Sequence, residues 1–389
     1  MNRSRRDDYG VHWLGLAGAG IRDRLSGEHA RANARRGYLR APAGRGRVIW
    51  IRAGATERGV HLATELLGAI RGRRRDVRLV LTFEEEYREI LRAHLVDVER
   101  MGFGYGPCDA PRAVRRALGR LDPLGVIVVD SPVPENLVEA VQRRGSHVIV
   151  YHAGPPARNG VEAAYPADLA QERAWRACGL AQWVAPVADA ASILTEAQAG
   201  PVLRSLVRGG AGDRALWWIH GADASGFARA WRASPLAADG VLFASDACGA
   251  PAQRGGDFIP ISRWDRTPLG PGTRVWVDET RWLPAVAAAA HGAHLETADA
   301  PVLWQALAAG VPLTLGPQLA DALAQTHAGF DGLGAPAPAP GDVLAAWERL
   351  RRDPAHARRS GDAGRRRFWA ERRRAGEVLE DLLERVFAW

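Results

Sequence analysis

The amino-acid sequence predicts an α/β protein made of two doubly wound domains, and three observations lead to this prediction. The chain has 389 residues, more than one ordinary hydrophobic core accommodates. Short apolar runs alternate with amphipathic helical segments along most of its length. The apolar runs are continuous instead of alternating with polar residues, which is typical of parallel strands covered by helices on both faces.

The first Rossmann-like domain is predicted over residues 36–200, after a basic lead-in over residues 1–35. Its first strand lies in RVIWIRAG, and the helix that follows is ERGVHLATELLGAI. One face of this helix collects the apolar residues Val60, Ala63, Leu67 and Ile70. Further strands are predicted in VRLVLTF, LGVIVVD, SHVIVYHA and AQWVAP, with helices in EEEYREILRAHL, APRAVRRALGRL, PENLVEAVQRRG and DAASILTEAQAG.

The second Rossmann-like domain is predicted over residues 201–389. The Pro-rich segment GAPAPAPG, residues 334–341, is predicted as a loop before the Arg-rich terminal helices. Two doubly wound domains that face each other hold a ligand in the cleft between them, at the carboxyl ends of their strands. Strands are predicted in ALWWIHGA, GVLFAS, RVWVDE, GAHLET and VPLTLG, with helices in SGFARAWRA, LPAVAAAAH, APVLWQALAAG and LADALAQTHAG.

The charge of the chain favours anionic partners, because the net charge is +8 and every basic side chain apart from histidine is an arginine. Nucleic acid is not expected among them, since the sequence has no zinc spacing, no aromatic RNP pattern and no basic stripe with interleaved aromatic residues. The three cysteines are far apart, which predicts neither a disulfide framework nor a metal cluster and fits a reducing, cytoplasmic setting. They are Cys108, Cys178 and Cys248.

A membrane-spanning segment is not expected, because no stretch approaches the roughly 20 apolar residues that a spanning helix requires. The apolar segment VHWLGLAGAGI, Val11 to Ile21, is short, interrupted by glycines and flanked by basic residues. Such a segment can lie on a membrane surface without crossing it. Because Arg-rich sequence follows directly, it is not a convincing signal peptide either.

Four segments resemble the 3-deoxy-D-manno-octulosonic acid (Kdo) transferases, and the resemblance runs from about Arg36 to the end of the sequence. The segments are RRGYLRAPAGRGRVIWIRAGATERG, VIVVDSPVPENLVEAVQRRGSHVIVYHA, VWVDETRWLPAVAAAAHGAHLE and PVLWQALAAGVPLTLGP. The resemblance implies the GT-B fold, with an acceptor-side first domain and a nucleotide-sugar-side second domain. It further implies transfer of Kdo or a related sugar from a CMP-activated donor to a lipid A-type acceptor in lipopolysaccharide core synthesis. The protein would then act peripherally at the cytoplasmic face of the inner membrane.

Several positions depart from the family pattern. The first turn reads Ala55-Thr56-Glu57, so that its acid stands one place early and Arg58 occupies the position of the family's acid. Gln305 stands where a further acid is expected. A divergent transferase and a degenerate, non-catalytic paralog that binds lipid or a partner transferase both remain open. A GT-B-shaped sugar-nucleotide epimerase fits the lead-in and the spacing less well.

The resemblance implies that Glu57 is the base that takes the proton of the acceptor hydroxyl. The alternative is an acid in the first turn of a helix that only complements the helix dipole. Arg52 and Arg58 are candidates for holding an acceptor phosphate. Asp130 and His152 follow predicted strands and are further acceptor-side candidates, although such residues also serve as helix caps or structural groups.

Donor-side candidates lie in the second domain. His220 ends the strand LWWIH, and Asp278, Glu279 and Thr280 resemble the family's Asp-Thr turn. A helix that begins at this turn would offer free backbone N–H groups to a phosphate, although helix capping explains the same residues. Gln305 and Gly316 complete the set, since a glycine lets backbone approach a nucleotide closely. The sequence has no metal-ligand cluster, no Walker A motif and no G-x-G-x-x-G motif after the first strand. We therefore expect metal-independent chemistry without a cofactor.

Overall fold

The computed structural model describes residue 19 and residues 22–94, 100–196, 201–246, 258–297, 300–327, 330 and 333–389. Cys248 and the segment Val11 to Ile21, apart from Ala19, lie outside the described residues. Two compact units make up the chain. Unit 1 contains Met1–Ala190 and Arg374–Trp389, and unit 2 contains Ala191–Arg373. The predicted domain limits did not anticipate that the last residues group with the first unit.

Unit 1 is built on a seven-stranded parallel sheet with the order β3-β2-β1-β4-β5-β6-β7. The strand order reverses between β1 and β4, which makes this point the topological switch of the sheet. The strands are β1 (Val48–Ala53), β2 (Arg78–Phe83), β3 (Met101–Tyr105), β4 (Pro123–Val129), β5 (His147–Tyr151), β6 (Val161–Tyr165) and β7 (Ala181–Val184).

Helices lie between these strands because each buries one apolar face. The helix α4, for example, buries Ala113, Val114, Ala117, Leu118 and Leu121 and leaves its arginines on the other side. The helices of unit 1 are α1 (His29–Arg35), α2 (Glu57–Arg73), α3 (Arg88–His94), α4 (Pro111–Leu121), α5 (Glu135–Gln142) and α6 (Leu169–Cys178).

Unit 2 contains a second seven-stranded parallel sheet with the order β10-β11-β9-β8-β12-β13-β14. Its switch point lies between β8 and β12. Large aromatic residues dominate its core, and Trp217 and Trp347 stack with their ring centroids 5.0 Å apart. The strands are β8 (Ala215–His220), β9 (Gly240–Ser245), β10 (Ile259–Pro260), β11 (Arg274–Trp276), β12 (Gly292–Leu295), β13 (Leu313–Leu315) and β14 (Gly334–Pro336).

The α-helices of unit 2 are α7 (Ala191–Leu194), α8 (Pro201–Ala211), α9 (Ala224–Ala233), α10 (Leu283–Ala289), α11 (Ala300–Ala309), α12 (Pro317–Thr326) and α13 (Pro340–Arg352). A 34-residue helix, α14 (Pro354–Phe387), follows them. Its last turns and Trp389 pack on unit 1. The Tyr165 hydroxyl donates to Asp381 over 2.7 Å, and the Trp389 ring stacks on His147 at 5.2 Å. Gly125 provides the space for that indole, since a Cβ at residue 125 would lie 2.5 Å from it.

The predicted α/β class with two doubly wound, parallel sheets is confirmed. Three short strands, β3, β6 and β10, were not predicted. The segment at residues 334–341 was predicted as a loop, but Gly334–Pro336 pairs with Leu313–Leu315 as an edge strand. Proline is tolerated there because an edge strand leaves one row of N–H groups unpaired. In the described part of the chain, no helix is long and apolar enough to cross a membrane.

Candidate functional site

The candidate site in unit 1 lies at the switch point, where open parallel sheets bind their ligands. The turn after β1 carries Thr56, Glu57 and Arg58, and Asp130 comes directly after β4. Gly54 brings these two turns together, since a Cβ at that position would lie 2.5 Å from the carbonyl oxygen of Asp130. A side chain at residue 54 would therefore separate the two strand ends.

The Asp130 carboxylate connects both turns. Its Oδ1 accepts a hydrogen bond from Arg58 Nη2 at 2.5 Å, and its Oδ2 accepts one from the Thr56 hydroxyl. The Thr56 oxygen in turn accepts from the Gly59 N–H at 2.9 Å and thereby caps α2. Asp130 also has a φ of 45°, in the left-handed region that asparagine and aspartate adopt more readily than other non-glycine residues. Charge pairing and backbone geometry therefore both fix this residue.

Glu57 is the first residue of α2 and its side chain is exposed. Thr56, not Glu57, is the residue that caps the helix. Within the described residues, the Glu57 carboxylate has no hydrogen bond or ion pair. It lies near Tyr87, whose hydroxyl donates to Ala55 O at 3.0 Å and whose pKa is raised by burial and then by the charge of Glu57. An unengaged carboxylate beside the switch point is available to accept a proton from a bound hydroxyl.

Arg52 has different surroundings from Arg58, although the two residues are close together in the sequence. Its guanidinium is buried and donates to Pro107 O at 2.8 Å and to Glu84 Oε1 at 3.2 Å. Burial raises the pKa of Glu84, while the neighbouring arginines, Arg52 first among them, oppose this increase. Arg52 therefore stabilises the buried end of β2, and its predicted contact with an acceptor phosphate stays a prediction.

His152 follows β5, the neighbour of β4, and is fully buried with a φ of 59°. Neither ring nitrogen has a well-formed hydrogen bond within the described residues. Burial is the main cause that lowers its pKa to about 4, and Arg58 lowers it further, whereas Asp189, Asp130 and the Ala188 backbone raise it. His152 is therefore a neutral imidazole behind the Asp130–Arg58 pair at neutral pH.

The corresponding edge of unit 2 holds a second group of polar residues. The His220 ring lies at the end of β8, and its Nδ1 is 2.9 Å from the Ser245 hydroxyl at the end of β9. Glu296 follows β12, and its Oε2 lies 3.0 Å from His294 Nε2. Burial lowers the pKa of His294, whereas Glu296 raises it. The Glu296 side chain is 40% exposed, so that part of its carboxylate remains open to a ligand.

Gly316 lies against this carboxylate, because a Cβ at that position would lie 2.6 Å from the Glu296 carboxyl carbon. The Glu296 N–H donates to His220 O at 2.9 Å, so that Glu296 lies between the predicted residues His220 and Gly316 at the ends of neighbouring strands. His294 and Glu296 were not among the predicted residues. Their spacing of two in GAHLET was the available signal, since residues i and i+2 of a strand share a face.

The remaining predicted donor-side residues are engaged locally. Asp278 accepts from the Ser262 N–H at 3.1 Å, and Glu279 pairs with Arg281 at 2.6 Å. Gln305 is buried and donates to Glu196 O at 3.1 Å. Asp278 to Thr280 were expected to begin a helix, but Thr280–Trp282 form a single 3-10 turn before α10. Because α10 continues directly from this turn at Leu283, the phosphate contact of Asp278 to Thr280 stays a prediction.

Residues 30–158 match the family model for 3-deoxy-D-manno-octulosonic-acid transferase (kdotransferase). The match confirms the predicted resemblance and, with it, the glycosyltransferase class. The matched segment contains the Asp130 contact, Glu57 and His152, whereas the donor-side residues of unit 2 lie outside it. No curated protein sequence matches the chain significantly.

Solved structures with GT-B-type folds resemble the chain at low sequence identity. The UDP-GlcNAc 2-epimerase from Neisseria meningitidis bound to UDP-GlcNAc has a TM-score of 0.58 at 10% identity, covering 87% of this chain and 100% of that one. Alr3699/HepE from Anabaena in complex with UDP has a TM-score of 0.55 at 10% identity, covering 88% and 100%. A ugt transferase from Siraitia grosvenorii in complex with UDP has a TM-score of 0.53 at 11% identity, covering 87% and 99%. These likenesses confirm the GT-B fold class.

Proposed function

We propose that the protein is a glycosyltransferase of the Kdo transferase type. It transfers Kdo or a related sugar from a CMP-activated donor to a lipid A-type acceptor in lipopolysaccharide core synthesis. The observation that carries this proposal is the exposed, unengaged Glu57 carboxylate beside the switch point of unit 1, within the segment that matches the Kdo transferase model. The proposed setting is the cytoplasmic face of the inner membrane, with peripheral contact.

The proposed reaction is a direct displacement at the anomeric carbon of the donor sugar. The acceptor hydroxyl oxygen forms the new glycosidic bond, the bond between the anomeric carbon and the CMP phosphate oxygen breaks, and CMP leaves with the electron pair. Glu57 takes the proton of the attacking hydroxyl, a step that typically contributes about 10²–10⁴-fold to the rate. The Asp130–Arg58 contact holds the turn that carries Glu57, and Arg58 and His152 line the same strand ends as acceptor-side residues.

On the donor side, we propose that Glu296 and His220 recognise the nucleotide sugar at the switch point of unit 2. The half-exposed Glu296 carboxylate accepts hydrogen bonds from hydroxyl groups, and Gly316 leaves the space that this carboxylate occupies. Asp278, Glu279, Thr280 and Gln305 stay donor-side predictions. Their side-chain or backbone contacts in unit 2 suit a role in shaping the surrounding loops.

The first experiment measures thermal stabilisation of the purified protein by CMP, CMP-Kdo and UDP. A ligand at about 100 times its Kd stabilises the folded state by roughly 2.7 kcal/mol, which is readily detected. We expect stabilisation by CMP and CMP-Kdo. Stabilisation by UDP alone would contradict the proposed donor, and stabilisation by none of them would favour the non-catalytic paralog.

A turnover assay with Glu57→Gln separates catalysis from binding. We expect transfer to fall by about 10²–10⁴-fold, while stabilisation by the nucleotide stays unchanged. Glu65→Gln is the matched control, since Glu65 is a second exposed acid on α2. Equal activities of the two variants would exclude Glu57 as the base.

A further inference from the structure

An exposed tyrosine on unit 1 is surrounded by three guanidinium groups. Their central carbons lie 4.4 Å (Arg116), 5.2 Å (Arg120) and 5.7 Å (Arg36) from the centroid of the Tyr38 ring. Tyr38 is 40% exposed, and Arg36 and Arg120 are exposed as well. We call these four residues the arginine platform. The platform was not predicted, because Arg36 and Arg116 are 80 residues apart in the chain.

The backbone builds this platform. Gly37 has a φ of 83°, and a Cβ there would lie 2.1 Å from the carbonyl oxygen of Ala113, so that the turn after α1 lies directly on α4. Arg116 Nη1 donates to the carbonyl oxygen of Arg36 at the start of this turn. Because a guanidinium has five N–H donors, this bond leaves most of them for another acceptor. The tyrosine ring, through cation–π contacts, and the turn thus orient the arginines and leave most of their N–H groups available.

The platform lacks compensating acids. Among the described residues, none of its three arginines forms an ion pair, whereas other surface arginines do, such as Arg73 with Glu380 at 2.6 Å. The exposed Arg40, Arg112 and Arg115 add positive charge on the same turn and helix. Like charges at this spacing repel one another, so that an anion bound over the platform removes an unfavourable interaction.

We propose that the arginine platform docks the protein on anionic phospholipid headgroups of a bilayer. Arginine suits phosphate, since its planar fork donates two parallel hydrogen bonds. Tyrosine is enriched where protein meets the headgroup region, because its ring is apolar and its hydroxyl is polar. Single-stranded nucleic acid fits less well, because guanidiniums already surround the aromatic face that a base would need for stacking.

This inference deepens the proposed function and rests on it for the choice of biological membrane. Lipid binding itself is measured without sugar transfer, so the two can fail separately. Loss of nucleotide stabilisation with intact vesicle binding would reject the transferase proposal alone. Intact nucleotide stabilisation without vesicle binding would reject the docking surface alone.

The test is cosedimentation of the full chain with phosphatidylcholine vesicles that contain or lack phosphatidylglycerol. We expect binding only to the anionic vesicles, weakening as salt is added. The triple variant Arg36→Gln, Arg116→Gln, Arg120→Gln should bind roughly 100-fold more weakly, from the contribution of each arginine near an anionic surface. If thermal unfolding shows that the triple variant is not folded, the double variant Arg36→Gln, Arg120→Gln should still bind roughly 30-fold more weakly.

A second triple variant controls for net charge. Arg358→Gln, Arg366→Gln, Arg373→Gln removes the same charge from exposed positions of α14, where none of the described aromatic rings contacts these side chains. We expect it to weaken vesicle binding by less than about threefold, as screened distant charges contribute little. Equal losses in the two triple variants, no binding to anionic vesicles, or tighter binding to an oligonucleotide than to vesicles would each overturn the proposal.

Discussion

Replacing Asp130 with asparagine removes the charge from the contact with Thr56 and Arg58 while keeping the size of the side chain. Asparagine also tolerates the left-handed backbone at this position, where φ is 45°. The substitution therefore tests the ion pair without adding strain. Hydrogen bonds between charged groups contribute about 1.5–3 kcal/mol, and the 29% exposure of Arg58 places this pair toward the lower end. We expect a loss of about 2 kcal/mol in the free energy of unfolding.

Calorimetry of the full chain measures this effect, because the transition of unit 1 should move by about 4–8 °C for a unit of its size. A double-mutant cycle with Arg58→Gln should give a coupling of at least about 1 kcal/mol. Asp122→Asn is the matched control, since Asp122 also has a left-handed φ of 43° but is exposed at the end of α4. Additivity of Asp130→Asn and Arg58→Gln within about 0.5 kcal/mol would refute the reasoning.

Three further predictions follow from single residues. The folded state should lose up to about 3 kcal/mol of stability as the pH falls from about 6.5 to about 4, since the unfolded chain protonates His152 first. Urea unfolding of the His152→Asn variant at several pH values should lack this loss. The same pH dependence in the variant and the unsubstituted protein would contradict the prediction. Gly316→Ala should weaken binding of the stabilising nucleotide by at least about 10-fold in calorimetric titration, because the added Cβ would displace the Glu296 carboxylate. An unaltered affinity would show that Glu296 is not part of the donor site. Gly37→Ala should lower the free energy of unfolding by at least about 2 kcal/mol in denaturant. Gly145→Ala, at a position with positive φ but open space, should lower it by about 1 kcal/mol. Equal losses would show that the close approach of Gly37 to Ala113 is unimportant.

The fold was largely predictable because its central strands are long, apolar runs. The strands β1 and β4 consist mostly of β-branched and aromatic or aliphatic residues, and both are almost entirely buried. Two of the missed strands, β3 and β6, lack this signal. Met101–Tyr105 contains two glycines at the edge of its sheet, and Val161–Tyr165 is short and rich in alanine. Their pairing depends on neighbouring strands, which local sequence does not reveal.

The candidate site was predictable only in part. The position of Glu57 at the start of a helix follows from local sequence. The Thr56–Asp130 contact does not, because it joins residues 74 apart and depends on the order of the strands. Similarly, Arg52 and Arg58 are separated because they lie in different elements: Arg52 is buried in β1 with Glu84, and Arg58 lies in the first turn of α2 with Asp130. Sequence indicated the turn, and tertiary structure assigned its side chains.

The division of unit 1 into two chain segments has a consequence for synthesis on the ribosome. All seven strands of its sheet precede residue 191, whereas the helix turns that carry Glu380 and Asp381 are made only after unit 2. At about 5–20 residues per second, the sheet waits about 10–40 s for these turns. During that time, the surface around Gly125 that receives Trp389 is uncovered. Unit 2 can therefore finish folding before unit 1. A chaperone that binds early would protect the uncovered surface of unit 1, which is synthesised first.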